Sequence, residues 1–338
     1  MSTFEDQFTP DKFAARYPTL APINGPDDLK KLDTTQVEPL AEDIRNLIIE
    51  VASHNGGHLA SPLGAVDLAI ALHYVYDFTN DFLIWDVGHQ AHAHKILTGR
   101  KDLFHQLRRK GGLSGYPTRS EDPVYDSFGT GHSSTSISAA LGMATAADYR
   151  VGNERRAVAV IGDGAMTAGM AFEALCNLGE MKKNVLVILN DNKMSISQNV
   201  GAFSQYLSRL ITGGLYNRAK GDIKTLMEHT MGPRLFEKAR RVEHQIKGMM
   251  MPGMFFEELG IRYVGPVDGN CLPTLIQCFE NLREIRKPIL FHCVTTKGKG
   301  YPYAEEDPLT YHGVGPYENS NGKMRKSAKG AEEATEVT

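Results

Sequence analysis

Residues 157–192 read AVAVIGDGAMTAGMAFEALCNLGEMKKNVLVILNDN, and their order decides the fold. Ala157, Val158, Ala159, Val160 and Ile161 form an uninterrupted apolar run, and so do Val185, Leu186, Val187, Ile188 and Leu189. Continuous rather than alternating hydrophobicity marks parallel strands buried on both faces. Residues 167–181 between them carry a helical pattern, so the stretch reads strand, helix, strand. Phe82-Leu83-Ile84-Trp85 and residues 289–294 (ILFHCV) read as two further strands, with helical patterns at 136–149 and 272–285. The expected fold is therefore α/β. It is an open, mostly parallel sheet with helices on both faces and ligands at the carboxyl ends of its strands.

Upstream, Leu40, Ile44, Leu47, Ile48 and Val51 recur at helical spacing. A second helix is expected from about Pro62 to Tyr76, carrying Leu63, Val66, Leu68, Ile70 and Leu72. Pro62 suits its first turn, where a missing N–H costs nothing. Residues 1–35 read as an N-terminal arm with sparse apolar residues and several prolines. Residues 199–250, rich in Lys, Arg, Met and Gly, interrupt the alternation and read as an inserted helical excursion with solvated charge. From Glu318 to Thr338 large apolar residues are almost absent, which predicts a disordered tail or linker over 318–338.

The 338 residues suffice for a large core, and 41% hydrophobic with 23% charged residues is ordinary for a globular protein. A net charge of -3 makes no electrostatic case for nucleic acid or a membrane surface as partner. The cations of 199–250 are interleaved with Glu and Asp, and no aromatic platform accompanies them. No apolar run approaches the roughly 20 residues that span a bilayer, and the start MSTFEDQFTP has no signal-peptide pattern. Cys176, Cys271, Cys278 and Cys293 form no CxxC pair and read as reduced core thiols. These features predict a cytoplasmic protein.

The chemistry concentrates where the first strand ends, at Gly162-Asp163-Gly164, and where the second ends, at Asn190-Asp191-Asn192. A carboxylate and a side-chain amide then stand at the carboxyl ends of two strands that can be neighbours. Hard oxygen ligands there suit Mg²⁺, which takes few protein ligands and completes its shell with phosphate oxygens. The flanking glycines let the main chain approach a diphosphate, and a helix beginning near Thr167 directs its positive end at it. A lone GDG is more often a plain turn. A GDG whose Asp is followed 29 residues later by an Asn, across strand, helix and strand, is far more specific.

That arrangement resembles the thiamine-diphosphate signature. The stretch IGDGAMTAGMAFEALCNLGEMKKNVLVILNDNKMSISQNVGA is similar to that of 1-deoxy-D-xylulose-5-phosphate synthases. So are GGHLASPLGAVDLAIALHYVY, IWDVGHQAHAHKILTGR, GGLSGYPTRSED, DSFGTGHSSTSISAALG, PGMFFEELGIRYVGPVDG and TKGKGYPYAEEDPLTYHGVGPY. The resemblance runs from about residue 38 to 317. It implies that residues 36–317 form the diphosphate-binding domain of a thiamine-diphosphate enzyme, with 199–250 as an insertion.

The resemblance also implies roles. Asp163 and Asn192 coordinate Mg²⁺, with the main-chain carbonyl of Met194 as third protein ligand. Gly164 and Ala165 lie against the diphosphate. His89, Gly131, His132, Ser133 and Tyr301 match other cofactor contacts. His58 and His312 match the two histidines that face the reacting acyl group, where an imidazole can bind a carboxylate or shuttle a proton. His89, His92 and His94 also spell H-x₂-H-x-H, which suggests a transition-metal site. The plainer reading makes His89 a phosphate donor and the other two structural. His92 departs from the family, where tyrosine is usual.

Complete chains of that family carry two further α/β domains. The second holds the pyrimidine ring and supplies the glutamate that activates the cofactor, and this sequence stops where it should begin. Three expectations stay open: a split enzyme with a separate pyrimidine-domain/C-terminal subunit, a fragment of a longer synthase, and a non-catalytic module that binds thiamine diphosphate or a partner. With its other half, the chain is expected to decarboxylate pyruvate and pass the two-carbon unit to an aldehyde such as glyceraldehyde 3-phosphate, as a homodimer or α₂β₂ assembly. Alone it is expected to be inactive. Transketolase-like ketol transfer is the enzymatic alternative.

Overall fold

Alternate residues of the two decisive runs face opposite ways, as the two-residue repeat of a strand requires. Val158, Val160, Leu186 and Ile188 enter one apolar core, while Ala159, Ile161, Val187 and Leu189 enter the other. A computed structural model describes residues 4–33, 35–150, 155–192, 202–212 and 253–325. Its principal elements are α1 (Pro10–Arg16), α2 (Val37–Asn55), β1 (Gly57–His58), α3 (Ala60–Gly64), α4 (Val66–Val75) and β2 (Phe82–Trp85). They continue with α5 (Ser136–Asp148), β3 (Ala157–Gly162), α6 (Gly169–Met181), β4 (Val185–Asp191) and α7 (Ala202–Thr212). The last are β5 (Arg262–Asp268), α8 (Leu272–Arg283), β6 (Ile289–Val294) and β7 (Gly313–Val314).

Five strands pair in parallel in the order β2-β3-β4-β6-β5. Residues of α2, α4 and α8 fill the core on one face, and residues of α5, α6 and α7 fill it on the other. All four expected strands are present. β5 was not among them. Its sequence RYVGPVD is interrupted by Gly265-Pro266, and the pairing with β6 shifts register between Val264 and Val267. A strand with an internal proline belongs at a sheet edge, where no ladder bond is lost. The helix expected over 62–76 is two, α3 and α4, and both are buried.

The arm is more integrated than its composition suggests. Phe13, Tyr17, Leu20, Ile23 and Leu29 are buried in the main core. Burying a large apolar side chain is worth roughly 1.5–3 kcal/mol, so a few well-spaced residues suffice to dock it. The carboxylate of Asp43 on α2 accepts the N–H groups of Thr19 (2.7 Å) and Leu20 (3.0 Å), while Arg16 and Tyr17 both bond Glu50.

The stretch after Tyr317 also packs as far as Arg325. The hydroxyls of Tyr301, Tyr303 and Tyr311 donate to the carbonyls of Asn319, Ser320 and Gly322. A structureless tail from Glu318 therefore does not describe 318–325, because tyrosine hydroxyls from the domain satisfy its backbone; 326–338 lie outside the described residues. Of 199–250, residues 202–212 form α7 and the rest lies outside the described residues. The four cysteines are free, with Cys293 buried and the other three half-buried. No helix among the described residues is long and apolar enough to cross a membrane.

Candidate active site

Register places the carboxylates. Gly162 pairs with Asn190 across β3 and β4, so the next residues, Asp163 and Asp191, leave adjacent strands at the same level. Asp163 is 4% exposed and Asp191 2%. Burial, then the charge of Asp191, pushes Asp163 from its ordinary 3.8 up to about 8, while the Lys297 ammonium opposes the rise. Two close, poorly hydrated carboxylates favour a proton or a cation between them. Asp191 is oriented by a relay across the sheet: His292 Nε2 lies 3.0 Å from its carboxylate, and the Tyr263 hydroxyl lies 2.8 Å from His292 Nδ1. Beneath, the Asn190 amide donates to Gln90 (2.9 Å) and accepts from Thr295 (2.6 Å), tying the ends of β2, β4 and β6 together.

Four histidines meet above this edge. β1 and β7 pair antiparallel with His58 opposite Gly313, which brings His58 beside His312. Their ring centroids are 5.4 Å apart. Gly56 permits the approach, since it has φ +69° and an added Cβ would meet the Val314 carbonyl at 2.7 Å. His89 follows β2 through Val87, whose φ of 52° is left-handed, a strained state for a β-branched residue. The Gly88 N–H donates to the Gly131 carbonyl at 3.2 Å, and this joins the loop bearing His132. His89 then stacks on His58 at 4.4 Å and on His132 at 5.1 Å. Burial lowers His58 from 6.5 to about 3 and His312 to about 4, and it holds His89 well below its ordinary value. Neighbouring imidazoles add to each depression.

Buried groups in this region have capacity to spare. His89 Nδ1, His312 Nδ1, Thr130 Oγ1 and Ser136 Oγ have no hydrogen-bond partner among the described residues. Such orphans are rare in finished interiors and mark places where a ligand or water completes the bonding. At Gly131 and Gly162 an added Cβ would meet nothing within 4 Å, so both backbones border open space. The oxygen-rich strand ends can thus hold a hard divalent cation, and the imidazoles can hold a polar organic ligand.

H-x₂-H-x-H does not act as a unit. His94 is buried and lies 2.9 Å from both His73 Nε2 and Asp126 Oδ1. Burial keeps His94 largely neutral, so its Nε2–H donates to Asp126 and its Nδ1 accepts from His73. Arg100 grips Asp126 with two bonds, of 2.8 and 3.0 Å. His92 packs edge-on to Phe104. Of the three, His89 joins the cluster with His58 and His132.

The remaining expected residues are placed as follows. Gly164 and Ala165 lie in a short helical turn, Asp163–Met166, that follows β3 at once. Asn192 directly follows β4 and is half-buried. Met194 lies outside the described residues. Ser133 is exposed beside His132. Tyr301 sits among Tyr303, Tyr311 and Tyr317, with its hydroxyl committed to Asn319. Asp191 and Lys297 were not singled out from the sequence. Asp191 lay within the NDN triplet, and Lys297 had only a position just beyond β6 as its signal.

A parallel sheet of this order, with helices on both faces, gives the chain a transketolase-like α/β fold. Transketolase from Leishmania mexicana matches 83% of this chain and 39% of its own at a TM-score of 0.57 and 18% identity. The Campylobacter jejuni transketolase matches 81% and 40% at 0.55 and 18%. Those likenesses establish the fold. Sequence goes further: the family model described as 1-deoxy-D-xylulose-5-phosphate synthase matches residues 20–295. The 1-deoxy-D-xylulose-5-phosphate synthase of Thioalkalivibrio sulfidiphilus is 54% identical over 306 residues, 90% of this chain and 47% of the relative. 1-deoxy-D-xylulose-5-phosphate synthase 1 of Geobacter sulfurreducens is 52% identical over 317 residues, 93% and 50%. With motifs and fold in agreement, the chain belongs to the 1-deoxy-D-xylulose-5-phosphate synthase family. It spans about half the length of the curated relatives it matches.

Proposed function

We propose that this chain is the diphosphate-binding half of a thiamine-diphosphate-dependent synthase. It works with a pyrimidine domain corresponding to the other half of its relatives' length. The observation that carries the reading is the buried pair Asp163 and Asp191 at the ends of β3 and β4, where burial and Asp191 raise Asp163 to about 8. A divalent cation relieves the repulsion that otherwise keeps a proton there.

In this reading Asp163, Asn192 and the Met194 carbonyl hold Mg²⁺, and Gly164 and Ala165 border the diphosphate. His89, Gly131, His132, Ser133 and Tyr301 make the remaining cofactor contacts. When bound, thiamine diphosphate supplies the electron sink for decarboxylating a 2-oxo acid such as pyruvate. The chain's own part is to position and to move protons. His58 and His312 are neutral at neutral pH, because burial and then nearby cationic groups, Lys297 and His132 among them, disfavour their cations. Each can donate one N–H to a carboxylate or carbonyl oxygen and accept a proton at the other nitrogen. An aldehyde such as glyceraldehyde 3-phosphate takes the two-carbon unit. The complex is a homodimer or α₂β₂ assembly.

The test is CO₂ release from pyruvate with Mg²⁺ and thiamine diphosphate, for this chain, for a pyrimidine-domain polypeptide, and for both together. Release only from the mixture supports the proposal. A silent mixture in which calorimetry shows bound cofactor overturns the enzymatic reading and favours a binding module. Ketol transfer without CO₂ would instead identify transketolase-like chemistry.

A further inference from the structure

A polar line crosses one apolar face of the sheet. Tyr263 on β5 pairs with Leu290 on β6, and His292 on β6 pairs with Leu189 on β4. Side chains two residues apart share a face, so Asp191 lies diagonal to His292 on one side and Tyr263 on the other. The Tyr263 hydroxyl is 2.8 Å from His292 Nδ1, and His292 Nε2 is 3.0 Å from the Asp191 carboxylate. His292 is fully buried, and the core around this line is built from residues such as Leu189, Leu290 and Phe256.

The bonds run in one direction. A carboxylate only accepts, so His292 Nε2 carries the hydrogen of the bond to Asp191. Burial first, then the charges of Tyr206 and Asp191, holds the Tyr263 phenol well above its ordinary 10. It therefore keeps its proton and donates it to Nδ1, which fixes the nitrogen that faces the acid. The backbone is shaped to the same contact. Val264 pairs with Phe291 and Val267 with Cys293, so Gly265 and Pro266 together stand opposite His292. Bulges of this kind re-aim side chains and gather beside active sites. Gly265 has φ +132°, and an added Cβ there would run into the His292 carbonyl.

Main-chain bonds from β6 hold the end of β4 as well, since the Thr295 N–H donates to the Asp191 carbonyl at 2.9 Å. Those bonds set the backbone, and the imidazole sets the side chain. Asn192 is the next residue. We propose that His292 and Tyr263 are positioning residues, which hold Asp191 and the end of β4 in the arrangement that a Mg²⁺–diphosphate complex requires at Asp163 and Asn192. This rests on the reading of that strand edge as the Mg²⁺ and thiamine-diphosphate site. Neither residue touches the cation. Tyr263 acts through His292, and His292 acts through Asp191.

The experiment titrates the full chain with thiamine diphosphate by calorimetry at stepped Mg²⁺ concentrations and reads the Mg²⁺ midpoint. The variants are Y263F, H292L and H292Q, with Y76F as control. Tyr76 is also a buried tyrosine, but its hydroxyl donates to the Phe279 carbonyl at 3.4 Å. Circular dichroism checks that each is folded. H292L should raise the midpoint by up to about 100-fold and Y263F by about 10-fold, the span typical of outer-shell partners. H292Q should recover most of the affinity, because its amide can donate to Asp191 as Nε2 does. Y76F should match the native chain. Y263F keeps the ring that stacks on Phe256 at 5.7 Å, so it decides the matter even if H292L fails to fold. A native midpoint in Y263F, or in folded H292L, overturns this proposal alone. Absence of Mg²⁺-dependent cofactor binding in the native chain overturns the diphosphate-site reading with it, so the two failures are told apart.

Discussion

Asp163 and Asp191 leave neighbouring parallel strands one residue beyond the paired Gly162 and Asn190, and both are buried. Each strand exposes its last carbonyls and the following side chain at this edge. Two acids are therefore placed together by register alone. Lys297 is the cation whose charge acts on Asp163.

The raised Asp163 predicts a pH-dependent stability for the cation-free chain. An acid whose folded value lies above its unfolded one stabilises the fold fully below about 3.8. That contribution is lost as pH rises through about 8. Thermal melts in chelator should thus show stability eroding across this window. Asp163→Asn should flatten the erosion and raise the melting temperature at pH 8. Mg²⁺ with thiamine diphosphate should stabilise the native chain but not this variant. A native-like pH profile in Asp163→Asn would place the effect elsewhere.

The histidines produce the opposite slope. His58 and His312 have folded values of about 3 and 4 against an ordinary 6.5. A depressed histidine contributes stability above its unfolded value, and this is lost as pH falls through the folded one. Acid unfolding monitored by fluorescence should steepen below pH 6.5, and His58→Gln should move its midpoint to lower pH. Together with Asp163, this puts the stability maximum of the cation-free chain near pH 6.

Asp126 is held well below the carboxylate range by His94 and Arg100, although its burial opposes this. Asp126→Ala leaves Arg100 buried and without its two-bond partner. A cost of about 3–5 kcal/mol is expected, as for other broken buried pairs. Urea denaturation at neutral pH measures it, and a loss below about 1 kcal/mol would show that water replaces the carboxylate.

Gly179 on α6 touches the turn that leads into β5. An added Cβ would meet the Leu259 carbonyl oxygen at 1.7 Å. Backbone cannot yield as a side-chain tip does, so Gly179→Ala should cost about 3 kcal/mol or more. The same substitution at Gly169, where a Cβ would meet nothing within 4 Å, serves as control. Melting temperatures of the two variants should separate clearly.

Legibility followed the length of the apolar runs. The strands at 157–161 and 185–189 announced themselves because both their faces are covered. β5 did not, because Gly265-Pro266 splits its run, and an edge position tolerates the split. The arm was underestimated because Phe13, Leu20 and Leu29 lie far apart in sequence, and their docking depends on α2 and the main core. The acids at 163 and 191 were visible as letters. Their mutual repulsion was not, since it depends on strand order.

The sequence by itself determined the parallel α/β class, the family motifs and the position of the GDG turn at a strand end, because local periodicity and spacing encode all three. Which histidines meet was decided by the tertiary structure alone. His89, His92 and His94 are close in sequence, yet they diverge into a cluster of imidazoles, a packing contact with Phe104 and a buried relay to Asp126. Successive side chains on a coiling backbone point in different directions, so their neighbours come from distant segments. His58 and His132, which share a cluster with His89, are separated from it by 31 and 43 residues and joined to it by folding.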